Sequence, residues 1–274
     1  MKKRMLLVML SALFLLSALL SCAPTPSGLC VTVLDVGQGD CMLLSFDGYH
    51  LLIDTGSAVS RDALLGELDR LDVKQLNAVL VTHPHEDHYG NVRMLMERFD
   101  VATLFLPEAQ GDELAFAMLP ESAARSEVEI KHLAEGDILA VGLAVCEVFC
   151  PIPDDPELNN AGLVLRVCYG ESVFLLMGDA EQSAEAALLA RGLDWKCDFL
   201  KVGHHGSKTA CSSAFLQTCA PQIAAISCAR DNDYGFPHAE VLQGLDAIGA
   251  TVYRTDKQGT LRFICDGTSV TLLN

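Results

Sequence analysis

The stretch that decides the fold is Ala78-Val79-Leu80-Val81-Thr82-His83-Pro84-His85-Glu86-Asp87-His88. Its apolar first half predicts a buried strand, and an H-x-H-x-D-H cluster follows directly. Three imidazoles and two carboxylates within six residues favour a metal centre, because these ligands together suit zinc, manganese or iron(II). On a tight loop, neighbouring side chains can face different ions. His83 and His85 are therefore candidate ligands of one ion, and Asp87 and His88 of another. A solvated polar loop is the alternative interpretation.

Further candidate ligands follow two other apolar runs. Asp179 comes after Phe174–Met177, and its two carboxylate oxygens could bridge two cations, although a helix N-cap is the alternative role. The pair His204 and His205 follows the run Phe199–Val202 and is flanked by glycines, which permit close backbone approach. Together with the first cluster, these residues predict a site built from several strand ends.

Short apolar runs that favour strands alternate along the chain with stretches of helical spacing. Two strand-rich halves, each with its own helices, predict two facing sheets with helices outside, an α/β fold of the αββα sandwich type. The segment Pro151–Asn160 is predicted to be a long loop. The predicted strands are Cys30–Val36, Cys41–Phe46, Tyr49–Ile53, Ala78–Thr82, Val101–Leu106, Val128–His132, Ile138–Ala140, Leu143–Phe149, Leu163–Tyr169, Ser172–Met177, Phe199–Val202, Ile223–Ser227, Val252–Arg254, Thr260–Cys265 and Ser269–Leu273. The predicted helices are Arg61–Leu71, Asn91–Phe99, Glu181–Arg191, Ser212–Cys219 and Ala239–Ile248.

The amino terminus differs from the rest of the chain. Three basic residues at positions 2–4 precede the apolar run Met5–Leu20, which ends at Ser21-Cys22. This order predicts a secretory signal peptide over residues 1–21, cleavage before Cys22 and lipidation of its thiol. An uncleaved anchor helix is the alternative, although the apolar run is short for a bilayer core of about 30 Å. Residues 22–28 would form a tether, and 29–274 the folded domain. We expect an exported protein, anchored through lipid to the outer face of the bacterial cytoplasmic membrane.

Acidic residues dominate the charge of the chain. The 274 residues include 19 Lys and Arg and 36 Asp and Glu, a formal net charge of −17. Without residues 1–21, 16 basic residues face 36 acidic ones, a formal charge of −20. This charge disfavours tight, non-specific nucleic-acid binding, which depends on a basic surface. The eleven cysteines include no C-x-x-C pair and mostly lie among apolar neighbours, so we interpret them as buried small hydrophobic residues.

Five ordered motifs resemble a known family. They are Asp35-Val36-Gly37-Gln38-Gly39-Asp40, Asp54-Thr55-Gly56, Thr82-His83-Pro84-His85-Glu86-Asp87-His88, Gly178-Asp179-Ala180 and His204-His205-Gly206-Ser207. Together they look like the metallo-β-lactamase superfamily, and specifically the C-terminal domain of ComEC-type competence proteins and their stand-alone secreted relatives. The tail, with Asn232-Asp233-Tyr234-Gly235, fits the same family, so the resemblance extends over residues 29–274.

The resemblance implies an αββα fold and two divalent metal ions, zinc first and manganese as the alternative. It assigns His83 and His85 to the first ion, and Asp87 and His88 to the second, with Asp179 bridging. One histidine of the adjacent pair would complete the second ion; we favour His205, which leaves His204 facing the substrate. Asp54 would orient the metal loop from behind. Asp35, Gln38 and Asp40 would form a turn near the site, with either a structural or a substrate role.

The chain departs from the family pattern at two places. Many superfamily members have a third histidine for the first ion before the bridging aspartate, whereas here the interval contains His132, within a predicted strand. Asn160 or water could complete that ion instead. Relatives often have Tyr-Gly-His-Pro-His, whereas this chain has Phe236 at the first histidine position and keeps His238. His238 is thus a candidate for substrate contact or for capping the following helix.

Two bound cations would activate a water molecule for attack on an electrophilic centre. Asp87 or Asp179 could accept its proton, and His204, His238 or Lys208 could assist the leaving oxygen. We expect a phosphodiesterase or nuclease acting on nucleic acid or on an envelope phosphodiester, including a phosphocholine ester. Lactone or β-lactam hydrolysis is the second hypothesis, and a non-enzymatic surface binding protein the third. The sequence indicates no protein partner.

Overall fold

The computed structural model describes residues 28–108 and 114–273. The predicted signal peptide, the lipidation site Cys22 and nearly all of the tether lie outside the described residues. Within the described part, the helices are too short or too polar to cross a membrane.

Fifteen strands are present in the described chain, and they form two mixed sheets. They are β1 Leu29–Val33, β2 Met42–Phe46, β3 Tyr49–Ile53, β4 Gln75–Leu80, β5 Asp100–Pro107, β6 Glu129–Leu133, β7 Ile138–Val141, β8 Ala144–Phe149, β9 Val164–Tyr169, β10 Ser172–Leu176, β11 Phe199–Lys201, β12 Ile223–Ile226, β13 Thr251–Arg254, β14 Leu261–Cys265 and β15 Val270–Leu273. The first sheet has eight strands in the order β15-β14-β1-β2-β3-β4-β5-β6. The second has seven, in the order β13-β12-β11-β10-β9-β8-β7.

The helices lie between strands along the chain, and most of the longer ones cover the outer faces of the sheets. They are α1 Arg61–Arg70, α2 Glu86–Tyr89, α3 Val92–Arg98, α4 Leu114–Ala117, α5 Leu119–Arg125, α6 Leu158–Ala161, α7 Gln182–Leu189, α8 Ser213–Cys219, α9 Ala239–Ala247 and α10 Thr255–Gln258. Short 3-10 turns occupy Ala58–Ser60 and Gly203–Gly206.

Three apolar cores lie between the layers and pack them together. The central core joins the facing sides of the sheets, for example Val31 and Phe263 from the first and Phe174 and Phe199 from the second. A second core packs α1, α3 and α5 on the outer face of the first sheet. A third packs α7, α8 and α9 on the outer face of the second. This confirms the predicted αββα sandwich.

The parallel strands bring their carboxyl ends to common edges. β3 pairs in parallel with β4, and β10, β11 and β12 are parallel neighbours in the other sheet. The backbone N–H of Leu163, just before β9, donates to the carbonyl of Thr82 over 2.9 Å and so ties the two edges together. Loops that leave these edges meet in a crevice outside the carboxyl ends of the strands, the usual place for a site in open α/β sheets.

The prediction of a continuous loop over Pro151–Asn160 is wrong at its end, where α6 begins at Leu158. This helix has a single turn, too short to show helical periodicity. Its residues 159–161 are buried, because the turn lies directly against the β4 loop: a Cβ on Gly162 would be 3.1 Å from the Cβ of His83.

Candidate metal centre

His83 follows β4 and is fully buried, with one ring nitrogen against Thr82 and the other directed into the site. Its Nδ1 lies 3.1 Å from the Thr82 hydroxyl, which itself donates to Asp54. Nε2 therefore faces inward, 3.0 Å from His85 Nδ1. Burial, together with the neighbouring His88, holds the pKa of His83 well below its usual value. A neutral imidazole with an inward lone pair is what a metal ligand requires.

Asp54 orients the loop from behind. The residue follows β3 in a left-handed conformation, with φ of +57°. Its Oδ1 accepts from the Thr82 backbone N–H over 2.8 Å, and its Oδ2 accepts from His88 Nδ1 over 2.9 Å. Asp54 thus contacts the histidine loop at both Thr82 and His88. A carboxylate on Nδ1 fixes the tautomer of His88 and leaves its Nε2 as the free donor atom.

Asp179 lies at the centre of the site. One of its oxygens, Oδ2, is 3.3 Å from His88 Nε2, 3.5 Å from His205 Nε2, 3.8 Å from His83 Nε2 and 4.0 Å from His204 Nε2. Although burial opposes the charge, these imidazoles hold the pKa of the Asp179 carboxyl well below its usual value. An ionised carboxylate between imidazoles from two loops could bridge two cations.

The turn after β11 carries two adjacent imidazoles, one buried beside Asp87 and the other partly exposed beside Glu181. His204 and His205 both have left-handed backbones, with φ of 45° and 53°. Such conformations cost about 1–2 kcal/mol for a residue with a side chain, so the surrounding contacts must stabilise them. The His205 ring is buried and its Nε2 lies 3.3 Å from Asp87 Oδ2. The His204 ring is partly exposed and bonds to Glu181, with Nδ1 2.9 Å from Oε1.

A buried ion pair lies behind His205. The Lys201 side chain, at the end of β11, is 1% exposed, and its Nζ donates to Asp40 Oδ2 over 2.6 Å and to the Val202 carbonyl over 3.0 Å. Asp40 Oδ1 lies 3.3 Å from His205 Nδ1. Burial alone would raise the pKa of Asp40, but Lys201 and His205 outweigh it and hold that pKa far below its usual value. Sequence reasoning missed Lys201, although a lysine within the apolar run Phe199–Val202 indicated a buried partner.

These donor atoms suit divalent cations. Buried atoms with no hydrogen-bond partner among the described residues include His88 Nε2, His205 Nε2 and Asp179 Oδ1. Although burial lowers it, the carboxylates Asp179 and Asp40 raise the pKa of His205 to about 10, so the pocket attracts positive charge. Within the described residues, sets of donor atoms lie within 4.8 Å of one another. They are His83 with His88 and Asp179, Asp87 with His88 and His205, Asp40 with Asp179 and His205, and Asp40 with Asp54 and His88.

The remaining candidates for the first ion are arranged differently. Asn160 Oδ1 accepts from the Glu181 backbone N–H over 3.2 Å, so it already has a partner. The adjacent Asn159 Oδ1 is buried without a partner in the described chain, so Asn159 is a further candidate beside Asn160. His132 lies exposed on β6, with Nδ1 3.3 Å from the Pro107 carbonyl, and joins none of the donor clusters found in the described residues.

His238 lies beside the turn that carries the histidine pair. Its Nδ1 accepts from the Lys208 backbone N–H over 3.0 Å, and its backbone N–H donates to the Gly206 carbonyl. His238 is the N-cap residue of α9, as its alternative role predicted, although its side chain makes no hydrogen bond to the first turn of that helix. The imidazole instead fixes Lys208 and leaves its own Nε2 for other contacts.

The turn of Asp35, Gln38 and Asp40 connects elements around the site. Asp35 Oδ1 accepts from the Gly37 N–H, and Gln38 Oε1 accepts from the Ala229 N–H over 3.4 Å. Gly39 packs against the metal loop so closely that a Cβ would lie 2.4 Å from the Asp87 carbonyl oxygen. These contacts give the turn a structural role in holding Asp87.

The sandwich and its histidine–aspartate centre define a class of protein. The profile of the Metallo-beta-lactamase superfamily matches residues 34–230, and the chain belongs to this superfamily. Its curated relatives include ComE operon protein 3 of Bacillus subtilis (strain 168), 33% identical over 252 residues that cover 85% of this chain and 32% of that protein. Recombination protein 2 of Haemophilus influenzae is 30% identical over 237 residues, which cover 85% of this chain and 28% of that protein.

The alignments thus span about a third of the length of these relatives. Among solved structures, the metallo-beta-lactamase fold protein YhfI from Bacillus subtilis superposes with a TM-score of 0.59 at 12% identity. The superposition covers 85% of this chain and 99% of YhfI, which shows a shared fold. The resemblance to the metallo-β-lactamase superfamily and its competence-protein branch is confirmed.

Proposed function

We propose that this protein is a metal-dependent phosphodiesterase that works outside the cell with two divalent cations, zinc first and manganese as the alternative. The observation that carries the proposal is the position of Asp179 Oδ2, within 4.0 Å of four imidazole nitrogens and beside buried donor atoms without partners in the described chain. Nucleic acid or an envelope phosphodiester would be the substrate. The relative named Recombination protein 2 supports this substrate class.

The ligands divide into two groups around Asp179. His83, His85 and Asp179 would hold the first cation, with the amide of Asn159 or Asn160 or a water molecule completing it. The second cation would take Asp87, His88, Asp179 and His205. When bound, the two cations would acidify a water molecule and stabilise negative charge on the phosphoryl oxygens.

Two side chains at the open side of the site would move protons. Asp87 is the accessible carboxylate, since its side chain is 33% exposed against 4% for Asp179, and could accept the proton of the attacking water. His204 turns Nε2 toward the centre because Glu181 holds its Nδ1. Thr209 Oγ1 also donates to Glu181 Oε1 over 2.8 Å, which fixes this carboxylate. A protonated His204 ring would therefore deliver its Nε2 proton to the leaving oxygen. Sequence reasoning missed the contribution of Glu181.

Export and anchoring complete the proposal. The basic residues at 2–4, the apolar run Met5–Leu20 and Cys22 support an exported lipoprotein on the outer face of the cytoplasmic membrane. The acidic charge of the chain favours a short or end-bound substrate over a long duplex held by its backbone.

Hydrolysis of bis-p-nitrophenyl phosphate tests the function. The full-length chain would be purified in detergent, freed of metal and reloaded with zinc or manganese. We expect metal-dependent turnover in the wild type, and a loss of at least about 100-fold in kcat for Asp87→Ala, which removes the proposed proton acceptor. Lys131→Ala, on the exposed surface of β6, serves as the control. Stoichiometric metal loading without turnover would contradict the phosphodiesterase, and parallel assays with a lactone and a β-lactam would then identify the other hydrolase classes.

A further inference from the structure

An aromatic pair borders the candidate metal centre. The Phe236 ring lies 5.6 Å from that of His204 and 6.1 Å from that of His205, measured between ring centroids. The Tyr234 ring stacks on Phe236 at 5.2 Å, with an angle of 14° between the planes. Tyr234 is 63% exposed, among the most exposed large apolar residues of the described chain. The rings therefore form a short stack that runs from the histidines to solvent.

The stack is held in a fixed position. The Asn232 side chain accepts from the Phe236 backbone N–H over 2.9 Å and donates to the Phe236 carbonyl over 2.8 Å and to the Ala229 carbonyl over 3.0 Å. On the other side, Pro237 packs against Gly206, where a Cβ would lie 2.5 Å from Pro237 Cβ. Because Asn232 closes the loop on itself and Pro237 packs against the histidine turn, a ligand on Tyr234 would lose little entropy in ordering the loop.

An open aromatic face of this kind matches a flat heterocycle. Every nucleobase has a π-face, and stacking on an aromatic side chain is sequence-tolerant. A quaternary ammonium group is the competing ligand, but such groups are typically bound in cages of several aromatic faces. Here the two rings are nearly parallel and present a platform with one outer face, which favours a base.

We propose that Tyr234 and Phe236 form a stacking subsite for the nucleobase of a nucleotidyl phosphodiester whose phosphate lies at the metal centre. This inference rests on the proposed phosphodiesterase function and narrows its substrate class from phosphodiesters in general to nucleotides or the ends of nucleic acids. Phe236 would fix the inner edge of the subsite beside His204, and Tyr234 would carry the base.

Two substrates with the same leaving group separate stacking from chemistry. Thymidine 5′-(p-nitrophenyl phosphate) carries a base, and methyl p-nitrophenyl phosphate does not. The full-length, metal-loaded chain would be assayed on both, and the ratio of their kcat/KM values compared between variants. We expect Tyr234→Ala to lower this ratio about 5- to 150-fold, the equivalent of about 1–3 kcal/mol. Tyr234→Phe should keep the ratio within about twofold, because the aromatic face remains.

Leu143→Ala is the matched control, since Leu143 is 73% exposed and lies on the β7–β8 turn away from the site. An unchanged ratio in Tyr234→Ala would overturn the subsite, and so would a selective loss with p-nitrophenyl phosphorylcholine in place of the thymidine ester. If the wild type hydrolyses none of these esters, the proposed function fails instead. Calorimetric binding of thymidine 5′-monophosphate to wild type and Tyr234→Ala then tests the subsite alone, and equal affinities would overturn it.

Discussion

Lys201 lies in the interior of the second sheet with its ammonium group on Asp40, and Asp40 in turn contacts His205. A charged side chain in such a place is stable only when it is paired and hydrogen-bonded. The pair therefore links a strand residue, a turn residue and a metal-site imidazole. Asp40 and the Ser227 carbonyl, which lies 3.1 Å from His205 Nδ1, together hold the His205 ring in position.

Lys201→Met tests this pair, because it removes the cation and keeps most of the side-chain volume. Asp40 would become a buried carboxylate without its lysine, and we expect the free energy of unfolding to fall by about 3–5 kcal/mol. Urea denaturation measures the change. Lys131→Met is the control, since Lys131 forms an exposed ion pair with Glu129 over 2.9 Å and such pairs contribute little. Equal losses in the two variants would contradict a structural role for Lys201.

Sequence reasoning predicted the side chains that gather at the candidate metal centre better than the side chains that support them. Six candidate ligands cluster in one place: His83, His85, Asp87, His88, Asp179 and His205. Their clustering was predictable because the H-x-H-x-D-H motif and the strand-end motifs are typical of a metal centre. Lys201 and Glu181 were missed, since each acts through a partner distant in sequence, Asp40 and His204 respectively. The role of Asn160 as a ligand stays a prediction, and the sequence does not show that its amide oxygen accepts from the Glu181 backbone N–H.

Among the elements, the turn between β1 and β2 supports the metal loop through direct contact with Asp87. Gly39 lies against the carbonyl of Asp87. Gly37 is in the same turn, but a Cβ added to it would have open space, with no described atom within 4 Å apart from its chain neighbours. Both have left-handed backbones, with φ of +126° and +74°. The two glycines thus carry a similar backbone requirement but differ in what surrounds them.

Gly39→Ala and Gly37→Ala form a matched pair. Each introduces backbone strain, which we expect to cost about 1–2 kcal/mol. Gly39→Ala should in addition displace Asp87 and weaken binding of the second cation at least about tenfold, the scale seen when a supporting contact of a metal ligand is lost. Isothermal titration calorimetry with zinc measures this affinity. The account of the turn would be wrong if both variants bound zinc as tightly as the wild type.

Strand and helix types were predictable from apolar periodicity, whereas several ends were not. The predicted strand Cys30–Val36 ends at Val33, because the chain turns there and Leu34 bonds across to Cys41. The strand predicted to start at Ala78 starts at Gln75, since Gln75 and Leu76 continue the parallel pairing with β5. The single-turn α6 was missed because its stability comes from burial against the β4 loop.

For the molecule as a whole, the sandwich determines which cysteines and acidic residues are buried and which are exposed. Of the ten cysteines in the described chain, eight are buried, as predicted from their apolar neighbours. None of these ten forms a disulfide bond. Burial raises the pKa of Cys146 and Cys228 to about 12, so these thiols are protonated at neutral pH. Most of the acidic excess lies on the surface, whereas Asp40, Asp54 and Asp179 are buried among imidazoles at the junction of the two sheets.

This junction is where the central claim is tested. Bound cations would stabilise the folded chain by mass action, because the unfolded chain lacks the assembled site. The claim requires two cations that share Asp179, and this sharing distinguishes a dinuclear centre from a single metal site or a cluster of hydrogen-bonded histidines.

The most direct measurement is the zinc content per chain, determined by elemental analysis after the full-length protein is equilibrated with zinc and dialysed. We predict about two zinc ions in the wild type, as a shared-carboxylate centre requires, and about one or fewer in Asp179→Asn. Leu143→Ala should match the wild type. About one zinc ion or fewer per wild-type chain, with the same content in Asp179→Asn, would contradict the dinuclear centre.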